Sequence, residues 1–315
     1  MYSLNKHIVQ SDFWKEIKNN TGAKVIEVDG LICTLNKVPF LNSFLAYVPK
    51  ISPNKIDFNK LKEVAQHENI LAYRFDVPFI IKNNDSKFVE FNEFMKKHCK
   101  LSPTDIFTKY DILLDLTNTE ENILANFKSK TRYNIGYAEK NNVEVLIANL
   151  DSDFDNFWDL LDSTAKRQHY FIRSKDFYYK AWKTFKDAGC GEILIAKYKG
   201  EVLGSWFLSF YKGVGNYMYG GSSTTHQNLQ ASSLLAYKSI KLAKERGATV
   251  FDFWGSDKDL SNSNSKFYGV TRFKLGFGGE IIEYMDSYDF VVNKSYYNMF
   301  LFGYKFYKAL VELKR

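Results

Sequence analysis

Residues 192–223, EILIAKYKGEVLGSWFLSFYKGVGNYMYGGSS, contain three apolar segments separated by two short turns. EILIAKY and VLGSWFLSFY flank a KGE turn, a pattern that predicts a β-hairpin. GNYMYGGSS predicts a third strand. Further along the chain, ASSLLAYKSIKLAKERG predicts a helix and TVFDFWG another strand. The segment therefore reads strand, strand, strand, helix, strand.

The same order occurs near the N-terminus. KVIEV from residue 24 and LICTLNKV flank a DG turn and predict a hairpin, followed by the strand SFLAYVP, a helix at residues 58–67 and the strand ILAYRFD. Because the two segments share little residue identity, they indicate duplicated domains rather than a short-period repeat. The order matches the central part of the GCN5-related N-acetyltransferase (GNAT) fold. We therefore predict an α/β (α+β) protein with two GNAT-like domains, mixed sheets and flanking helices, although fold alone does not supply chemistry.

Bulk properties agree with a two-domain globular protein. The 315 residues exceed the usual size of one core, and 45% of them are hydrophobic. A net charge of +7 favours polyanions such as RNA, nucleotide phosphates or anionic lipid. The first residues lack the apolar core of a signal peptide, and no run approaches the roughly 18 apolar residues of a spanning helix. Three cysteines and five scattered histidines suggest neither disulfides nor a metal, so we expect a cytoplasmic protein.

The two halves are joined by YDILLDLTNTEENILANFKSKTRYNIGYAEKNNVEV, residues 110–145. Thr117 and Glu120 are spaced as a capping box at the start of a helix. At 100° per residue, one face of this helix is predicted to pack inward through Leu124, Phe127, Thr131, Ile135 and Ala138. Three cations project outward, where they meet either tRNA phosphates or solvent, and they stay unassigned: Lys128, Lys130 and Arg132.

The final stretch, SYYNMFLFGYKFYKALVELKR, predicts a helix that alternates aromatic residues with cations. One interpretation is a helix docked on a core. The other is an interfacial helix that touches a membrane, because aromatic and Lys-rich amphipathic segments suit that boundary.

Several motifs together resemble the FemABX family. The stretch LDLTNTEENILANFKSKTRYNIGYAEKNNVEV is similar to its signature of a strand, a helix with K-x-R-Y-N-I and a V-E-V strand. Four shorter motifs match in the expected order, namely FWKEIK for W-x-x-x-K, STAKR for T-x-x-R, YMYGGSS for a tyrosine-containing strand and RFKLGFGGE for a late F-K strand. The matches span residues 13–282. Because no segment has room for a long helical hairpin, the chain resembles the short form, like FemX.

The resemblance implies an aminoacyltransferase. It would move Gly, Ala or Ser from aminoacyl-tRNA, a co-substrate, to the stem-peptide amine of a peptidoglycan precursor, with no other cofactor. The acceptor would be UDP-MurNAc-pentapeptide or lipid II. The predicted precursor-binding domain comprises residues 1–118 plus 287–315, and residues 119–286 hold the tRNA end and catalysis. We expect a cytoplasmic monomer that contacts the inner face of the membrane.

The same resemblance supplies candidate catalytic residues. Lys274 is predicted to stabilise the negative oxygen that forms when an amine attacks the aminoacyl ester. Phe273 would neighbour the tRNA end and pack against its terminal adenosine. Asp76 is the candidate acceptor of the amine proton. A turn-forming aspartate before Pro78 is an equally good interpretation of Asp76.

Candidate binding residues follow from the remaining motifs. Lys18 and Arg167 match family positions that contact the precursor pyrophosphate, and the fork of an Arg suits phosphate. Thr164, three positions before Arg167, shares its helix face. Tyr219 is predicted to bind the same substrate, whereas Tyr217 is predicted to point to the opposite face of the strand and to belong to the core.

Two other functions compete. A GNAT-like enzyme that uses acyl-CoA normally holds the pyrophosphate in a Gly-rich turn at a helix N-terminus. The equivalent sequence, HQNLQASSLLAY, has Gln230 and Ser232 where glycines are expected, which disfavours coenzyme A. A non-catalytic precursor-binding or RNA-binding protein is the second alternative, and the presence of Phe273, Lys274 and Arg167 argues against it. A Ser-His-Asp hydrolase lacks support because no G-x-S-x-G element occurs.

Overall fold

The computed structural model describes residues 6–52, 56–82 and 86–313. Its strands are β1 (Lys24–Val28), β2 (Leu31–Lys37), β3 (Phe44–Pro49), β4 (Ile70–Asp76), β5 (Lys100–Leu101), β6 (Tyr110–Asp115), β7 (Glu144–Ile147), β8 (Gly191–Tyr198), β9 (Glu201–Tyr211), β10 (Val214–Ser222), β11 (Val250–Gly255), β12 (Glu280–Glu283) and β13 (Tyr288–Val291). Its helices are α1 (Asp12–Asn20), α2 (Phe58–Glu68), α3 (Ser86–His98), α4 (Glu120–Ala125), α5 (Ser129–Lys140), α6 (Asp151–Gln168), α7 (Lys175–Asp187), α8 (Ala231–Glu245), α9 (Tyr268–Lys274) and α10 (Lys294–Leu313).

The chain divides into two compact units. The central unit comprises Met1–Ile8 and Tyr110–Glu283, and the terminal unit comprises Val9–Lys109 and Tyr284–Arg315. Each unit contains one mixed sheet with the predicted order of three strands, a helix and a strand. The predicted duplication and the α/β fold class are therefore confirmed.

The central unit has a seven-stranded sheet in the order β12-β6-β11-β10-β9-β8-β7. Its pairs are antiparallel except β10 and β11, which α8 connects in parallel. One face packs against α5 and α8 around an apolar cluster that includes Trp206 and Leu208. Phe207, between them on β9, points to the other face and contacts Phe157 of α6 and Phe185 of α7. Strand alternation thus gives this sheet two apolar faces, each covered by helices.

The terminal unit has a six-stranded sheet in the order β1-β2-β3-β4-β13-β5. Here β3 and β4 are the parallel pair, connected by α2. Asp57 caps α2 by accepting the backbone N–H groups of Asn59 and Lys60, and Asn69 in the left-handed region ends it. The last strand, β13, lies between β4 and β5 and pairs with both in antiparallel register. This sheet therefore needs strands from both ends of the chain.

The observed division of the chain differs from the predicted boundaries after residues 118 and 286. β6 was assigned to the first domain, but it pairs with β11 and β12 in the central sheet. The units accordingly divide after Lys109 and after Glu283, and residues 1–8 group with the central unit. The physical reason is strand pairing between distant segments, which no local pattern shows.

Two local predictions were wrong. Thr119, not Thr117, is the N-cap of α4, because its side chain accepts the N–H of Asn122, whereas Thr117 bonds back to Asp115. The predicted F-K strand is a helix, α9, followed by a 3₁₀ turn at Leu275–Phe277. Gly278, with φ +77°, ends that turn. Lys274 therefore lies in the last turn of a helix and not in a strand.

Residues 110–145, which join the two duplicated halves, contain two helices, α4 and α5, instead of the one that was predicted. α4 ends at Ala125 and α5 begins at Ser129. The predicted inward face holds across the break, because Phe127, Ile135 and Ala138 are buried. No helix within the described ranges has the length and apolarity needed to cross a bilayer.

Candidate active site

The candidate site lies where two parallel strands of the central unit separate. β10 and β11 pair only over Val214–Asn216 and Val250–Asp252. Beyond this point the register of β10 against β9 shifts between Tyr217 and Tyr219, and that of β11 against β6 shifts after Asp252. Strand divergence of this kind exposes backbone groups between the strands, where a side chain or substrate can reach them.

Lys274 reaches this point from the last turn of α9. Its Nζ donates to the carbonyl oxygens of Gly255 at 2.6 Å and Trp254 at 3.2 Å. Trp254 has φ +62°, a conformation that a bulky residue adopts only when its surroundings require it. An ammonium has three N–H donors, and among the described residues the third has no acceptor. The lysine is thus held rigidly with one donor available.

The charge on Lys274 is controlled by its surroundings. Only 5% of the residue is exposed. Burial lowers the pKa of its ammonium to about 8, and the carboxylates of Asp111 and Asp252 oppose this shift. Both aspartates are buried. Burial and a depressed pKa in a lysine are typical of functional rather than surface positions.

Tyr217 packs against the apolar core cluster of the central sheet, as predicted, and also lies beside the ammonium. Its ring is only partly buried, stacks on Trp206 at a centroid distance of 3.8 Å and lies 5.8 Å from Lys274 Nζ. A Cβ at Gly220 would approach the Tyr217 hydroxyl to 2.6 Å, so glycine there makes room for this tyrosine. The ring is thus a neighbour of the Lys274 ammonium.

The bulge in β10 explains why the two tyrosines diverge. In a regular strand, residues two apart share a face, so Tyr217 and Tyr219 would point the same way. The register shift pairs Tyr217 with Leu208 but Tyr219 with Phe207, and these two partners face opposite sides. The predicted opposite orientation is therefore present, but the bulge and not the alternation produces it.

A second group of polar residues surrounds the end of β10. Thr164 Oγ1 accepts the N–H of Ser222 at 3.2 Å, and Arg167 donates to the Ser222 carbonyl oxygen at 3.0 Å. Thr164 and Arg167 thus share one face of α6, as predicted. A Cβ at Gly221 would lie 2.3 Å from the Leu160 carbonyl oxygen, so the close approach of α6 to β10 requires glycine.

Tyr219 belongs to this second group. Its ring packs edge-on against Tyr178 at 4.8 Å, and burial raises the pKa of its hydroxyl. Tyr178 in turn accepts the backbone N–H of Arg173 at 3.4 Å. The Arg173 guanidinium opposes the rise in the pKa of both tyrosine hydroxyls and so lies near them. Arg167 and Arg173 are both exposed, and a guanidinium group suits phosphate. Arg173 and Tyr178 were missed because they lie in no motif and follow a loop.

Phe273 is partly buried and packs against Phe277 at 5.2 Å. The start of α5 lies against the same segment, since the N–H of Lys128 donates to the Gly276 carbonyl oxygen at 2.9 Å. The Arg132 guanidinium donates to the carbonyl oxygens of Ala125 and Phe127 and so closes the end of α4. Arg132 therefore has a structural role, whereas Lys128 and Lys130 are exposed beside the segment that follows Lys274.

Two of the predicted residues, Lys18 and Asp76, lie in the terminal unit. Lys18 is buried on α1, and its Nζ lies 5.6 Å from the ring centroid of Trp14 one turn earlier. The W-x-x-x-K motif thus forms a cation–π pair within one helix. Ser11 caps that helix by accepting the N–H of Trp14.

Asp76 is fully buried at the end of β4. Its carboxylate accepts the Tyr47 hydroxyl at 2.6 Å, the Ser287 hydroxyl at 2.9 Å and the backbone N–H groups of Ile106 and Phe107 at 3.0 and 2.8 Å. Four donors occupy the lone pairs that a proton acceptor would need. The geometry therefore argues against the predicted role as a base and favours the structural interpretation.

Replacing Asp76 with Asn distinguishes these roles. The Asn NH₂ group would face donors, so we expect the free energy of unfolding to fall by about 1–3 kcal/mol. Activity per folded molecule should remain within a few fold of wild type. Thermal unfolding and transfer rate measured on the same preparation check this. A loss of about a hundredfold in rate without loss of stability would restore Asp76 as the base.

The loop before α8 is the segment in which an acyl-CoA enzyme would be expected to carry its Gly-rich pyrophosphate turn. Gln230 has φ +59° and precedes the helix directly. Its Nε2 donates to the Gln227 carbonyl oxygen at 3.2 Å, so the side chain folds over the loop. Glycine normally takes such backbone conformations and leaves the amides open.

Among known proteins, the chain is similar to lipid II:glycine glycyltransferases. That of Staphylococcus haemolyticus (strain JCSC1435) is 20% identical over an alignment 380 positions long, which covers 94% of this chain and 90% of that protein. That of Staphylococcus aureus (strain USA300) is 32% identical over 101 residues, which cover 32% of this chain and 24% of that protein.

Solved structures share the fold. The crystal structure of FemX matches with a TM-score of 0.81 at 18% identity and covers 94% of both chains. The structure of L-PGS from Bacillus licheniformis matches with a TM-score of 0.56 at 12% identity and covers 95% of this chain and 97% of that one. The sequence model of the FemAB family matches residues 80–199 and 189–305. The predicted resemblance is thus confirmed, and the chain belongs to the FemAB family.

Proposed function

We propose that this protein is an aminoacyltransferase that moves glycine from glycyl-tRNA to the stem-peptide amine of lipid II, a lipid-linked peptidoglycan precursor. Family membership and the activity named for its curated relatives support the reaction class, the amino acid and the acceptor. The product would be part of an interpeptide bridge. Alanine and serine remain the alternative amino acids, and UDP-MurNAc-pentapeptide is the alternative acceptor.

The observation that carries the proposal is the buried, rigidly held ammonium of Lys274. When the amine attacks the ester carbonyl carbon, a C–N bond forms and the carbonyl oxygen becomes negative. The third N–H of Lys274 would donate to that oxygen. Because the site is largely shielded from water, such a contact stabilises the transition state more than it would in solution. The C–O bond to the ribose then breaks as the carbonyl reforms.

Proton transfer needs no dedicated carboxylate in this scheme. The attacking amine must be neutral, and it loses a proton as the new amide forms. The departing ribose oxygen gains one proton, so the reaction is balanced within the reacting groups. Tyr217, beside the ammonium, lines the space that the reacting groups would occupy.

The acceptor phosphates would bind at the end of β10. Arg167 and Thr164 bond to Ser222 at this strand end, and Arg173 adds a second guanidinium near the Tyr219 hydroxyl. An Arg fork can hold two phosphate oxygens at once. In the terminal unit, Lys18 is a separate proposed phosphate-binding residue, suggested by the family motif alone.

The donor is better matched by RNA than by coenzyme A. Gln230 folds over the loop before α8, where an acyl-CoA enzyme would be expected to carry a Gly-rich pyrophosphate turn. Lys128 and Lys130 present exposed cations next to the segment that follows Lys274, where tRNA phosphates would arrive. Phe273 in that segment is a proposed packing partner of the terminal adenosine.

Incubation with charged tRNAs and two acceptors tests the proposal. The protein is mixed with glycyl-, alanyl- or seryl-tRNA and with either lipid II or its nucleotide-linked precursor, and the product is weighed by mass spectrometry. We expect an acceptor one glycine heavier, formed only with charged tRNA and sensitive to RNase. Transfer from acetyl-CoA without tRNA, or no product with any donor, would reject the proposal.

A further inference from the structure

The final helix of the terminal unit is docked through one side. Tyr297 of α10 is 1% exposed, and its hydroxyl donates to Asp289 at 2.7 Å. Phe300 and Leu301 pack with it on a small apolar cluster formed by Val38, Leu45, Leu71 and Ala72. This side accounts for the docked-helix interpretation of the sequence.

The opposite side of α10 is also apolar, yet it is exposed. Met299, Phe302 and Phe306 are 57%, 77% and 64% exposed. At 100° per residue they centre about half a turn from Tyr297. A helix that is apolar on both sides normally has a partner on each, because large contiguous apolar patches are rare on free surfaces. We call Met299, Phe302 and Phe306 the outer stripe.

A loop in the same region carries another exposed aromatic residue. Phe40 lies between β2 and β3 and is fully exposed, with φ +64°. Its neighbour Leu41 packs on the cluster that holds α10. The loop and the helix are thus anchored on one cluster, and each exposes aromatic side chains.

The charges of this region indicate which kind of partner would cover the outer stripe. The sequence from residue 294 to 315 contains five basic residues and one acidic residue, and the exposed Lys294 and Lys305 belong to α10. Apolar and aromatic side chains flanked by lysines are typical of helices that lie in the headgroup layer of anionic lipid. A protein partner or a second copy would not require this excess of cations.

We propose that the outer stripe of α10, together with Phe40, docks the protein on an anionic lipid surface. The inference rests on the proposed function, in which the acceptor is a lipid-linked precursor. The docked side fixes α10 to the terminal unit while the outer stripe enters the headgroup layer. Binding would raise the local concentration of acceptor without a spanning segment.

Vesicle sedimentation of the full chain tests the docking surface. Vesicles of phosphatidylglycerol and phosphatidylcholine are compared with phosphatidylcholine alone at low and high salt. We expect binding to the anionic vesicles that weakens with salt. The double variant Phe302→Ser, Phe306→Ser should bind at least tenfold more weakly. The matched control, Val89→Ser with Leu101→Ser, alters two similarly exposed apolar residues of the same unit and should bind like wild type.

Further measurements separate this surface from the proposed function. Thermal unfolding of both double variants should match wild type, since the altered residues are exposed. Transfer to the water-soluble nucleotide-linked acceptor should be equal in all proteins, whereas transfer to vesicle-embedded lipid II should fall in the stripe variant alone. Unchanged vesicle binding by that variant overturns the docking surface and leaves the function intact. A wild-type dimer that the variant loses, without vesicle binding, makes a second copy the occupant and also overturns it. Vesicle binding by a protein that transfers nothing rejects the function but retains the surface.

Discussion

Replacement of Lys274 by Met is expected to lower kcat for aminoacyl transfer by a factor of about 10²–10³, the usual cost of removing one oxyanion donor. KM for the lipid-linked acceptor should stay within a few fold, because the proposed phosphate contacts lie at Arg167 and not at Lys274. Steady-state kinetics with charged tRNA and acceptor measure both constants. An unchanged kcat would remove Lys274 from the mechanism.

A matched control comes from another lysine of the same unit. Lys244 also donates to a backbone carbonyl, that of Leu116 at 2.7 Å, but it lies at the end of α8 and has no proposed role. Lys244→Met should therefore retain wild-type kcat. If both substitutions lower kcat equally, the loss reflects general damage to the fold.

The pH profile is a second readout of the same ammonium. Burial lowers the pKa of Lys274 to about 8, so the charged donor dominates below that pH and is lost above it. With a pre-charged tRNA donor, kcat/KM should fall as pH rises through about 8, whereas the neutral fraction of the substrate amine rises in that range. In Lys274→Arg the guanidinium keeps its charge, so this decline should disappear even if the overall rate is lower. A wild-type rate that climbs steadily beyond pH 9 would contradict the assigned role.

Replacement of Arg74 by Met is expected to destabilise the terminal unit by about 3–5 kcal/mol, because it leaves the buried Asp289 carboxylate without a cationic partner. The Arg74 guanidinium donates to both oxygens of Asp289 at 2.8 and 2.7 Å, and both side chains are at most 3% exposed. Hydrogen exchange of β4 and β13 during urea titration reports this unit separately from the other. We expect their protection to be lost at clearly lower urea.

Lys24→Met provides the comparison within the same unit. Lys24 pairs with Glu68 at 2.6 Å, but both side chains are substantially exposed. Loss of such a pair costs at most about 1 kcal/mol. Equal effects of the two substitutions would show that the buried pair contributes nothing beyond an ordinary surface contact.

Much of the fold could be predicted because local patterns decided it. The DG turn after KVIEV and the KGE turn after EILIAKY predicted the two hairpins. The helix that connects each parallel pair of strands was predicted from the helical spacing of its apolar residues. The predicted inward face was also confirmed, since Phe127, between α4 and α5, and Ile135 and Ala138 of α5 are buried. These features depend on residues close in sequence.

The remaining features depend on pairing at long range. The pairing of β6 with β11 and β12 in the central sheet cannot be read from that strand alone. Lys274 could be proposed from its motif, but its helical segment, the backbone carbonyls of Trp254 and Gly255 and the neighbouring Tyr217 could be located only in the structure. The four donors around Asp76 come from three separate segments, which is why a proton acceptor and a structural carboxylate looked alike.

The place of β13 between β4 and β5 constrains how the chain acquires its structure on the ribosome. Residues 9–109 are synthesised before residues 284–292, so until then their sheet lacks the strand between β4 and β5. The contiguous stretch 110–283 can complete its own sheet earlier. Until β13 is synthesised, residues 9–109 therefore expose two unpaired strand edges and the unpaired Arg74 guanidinium. We expect this nascent intermediate to be the state most prone to aggregation and most dependent on chaperones.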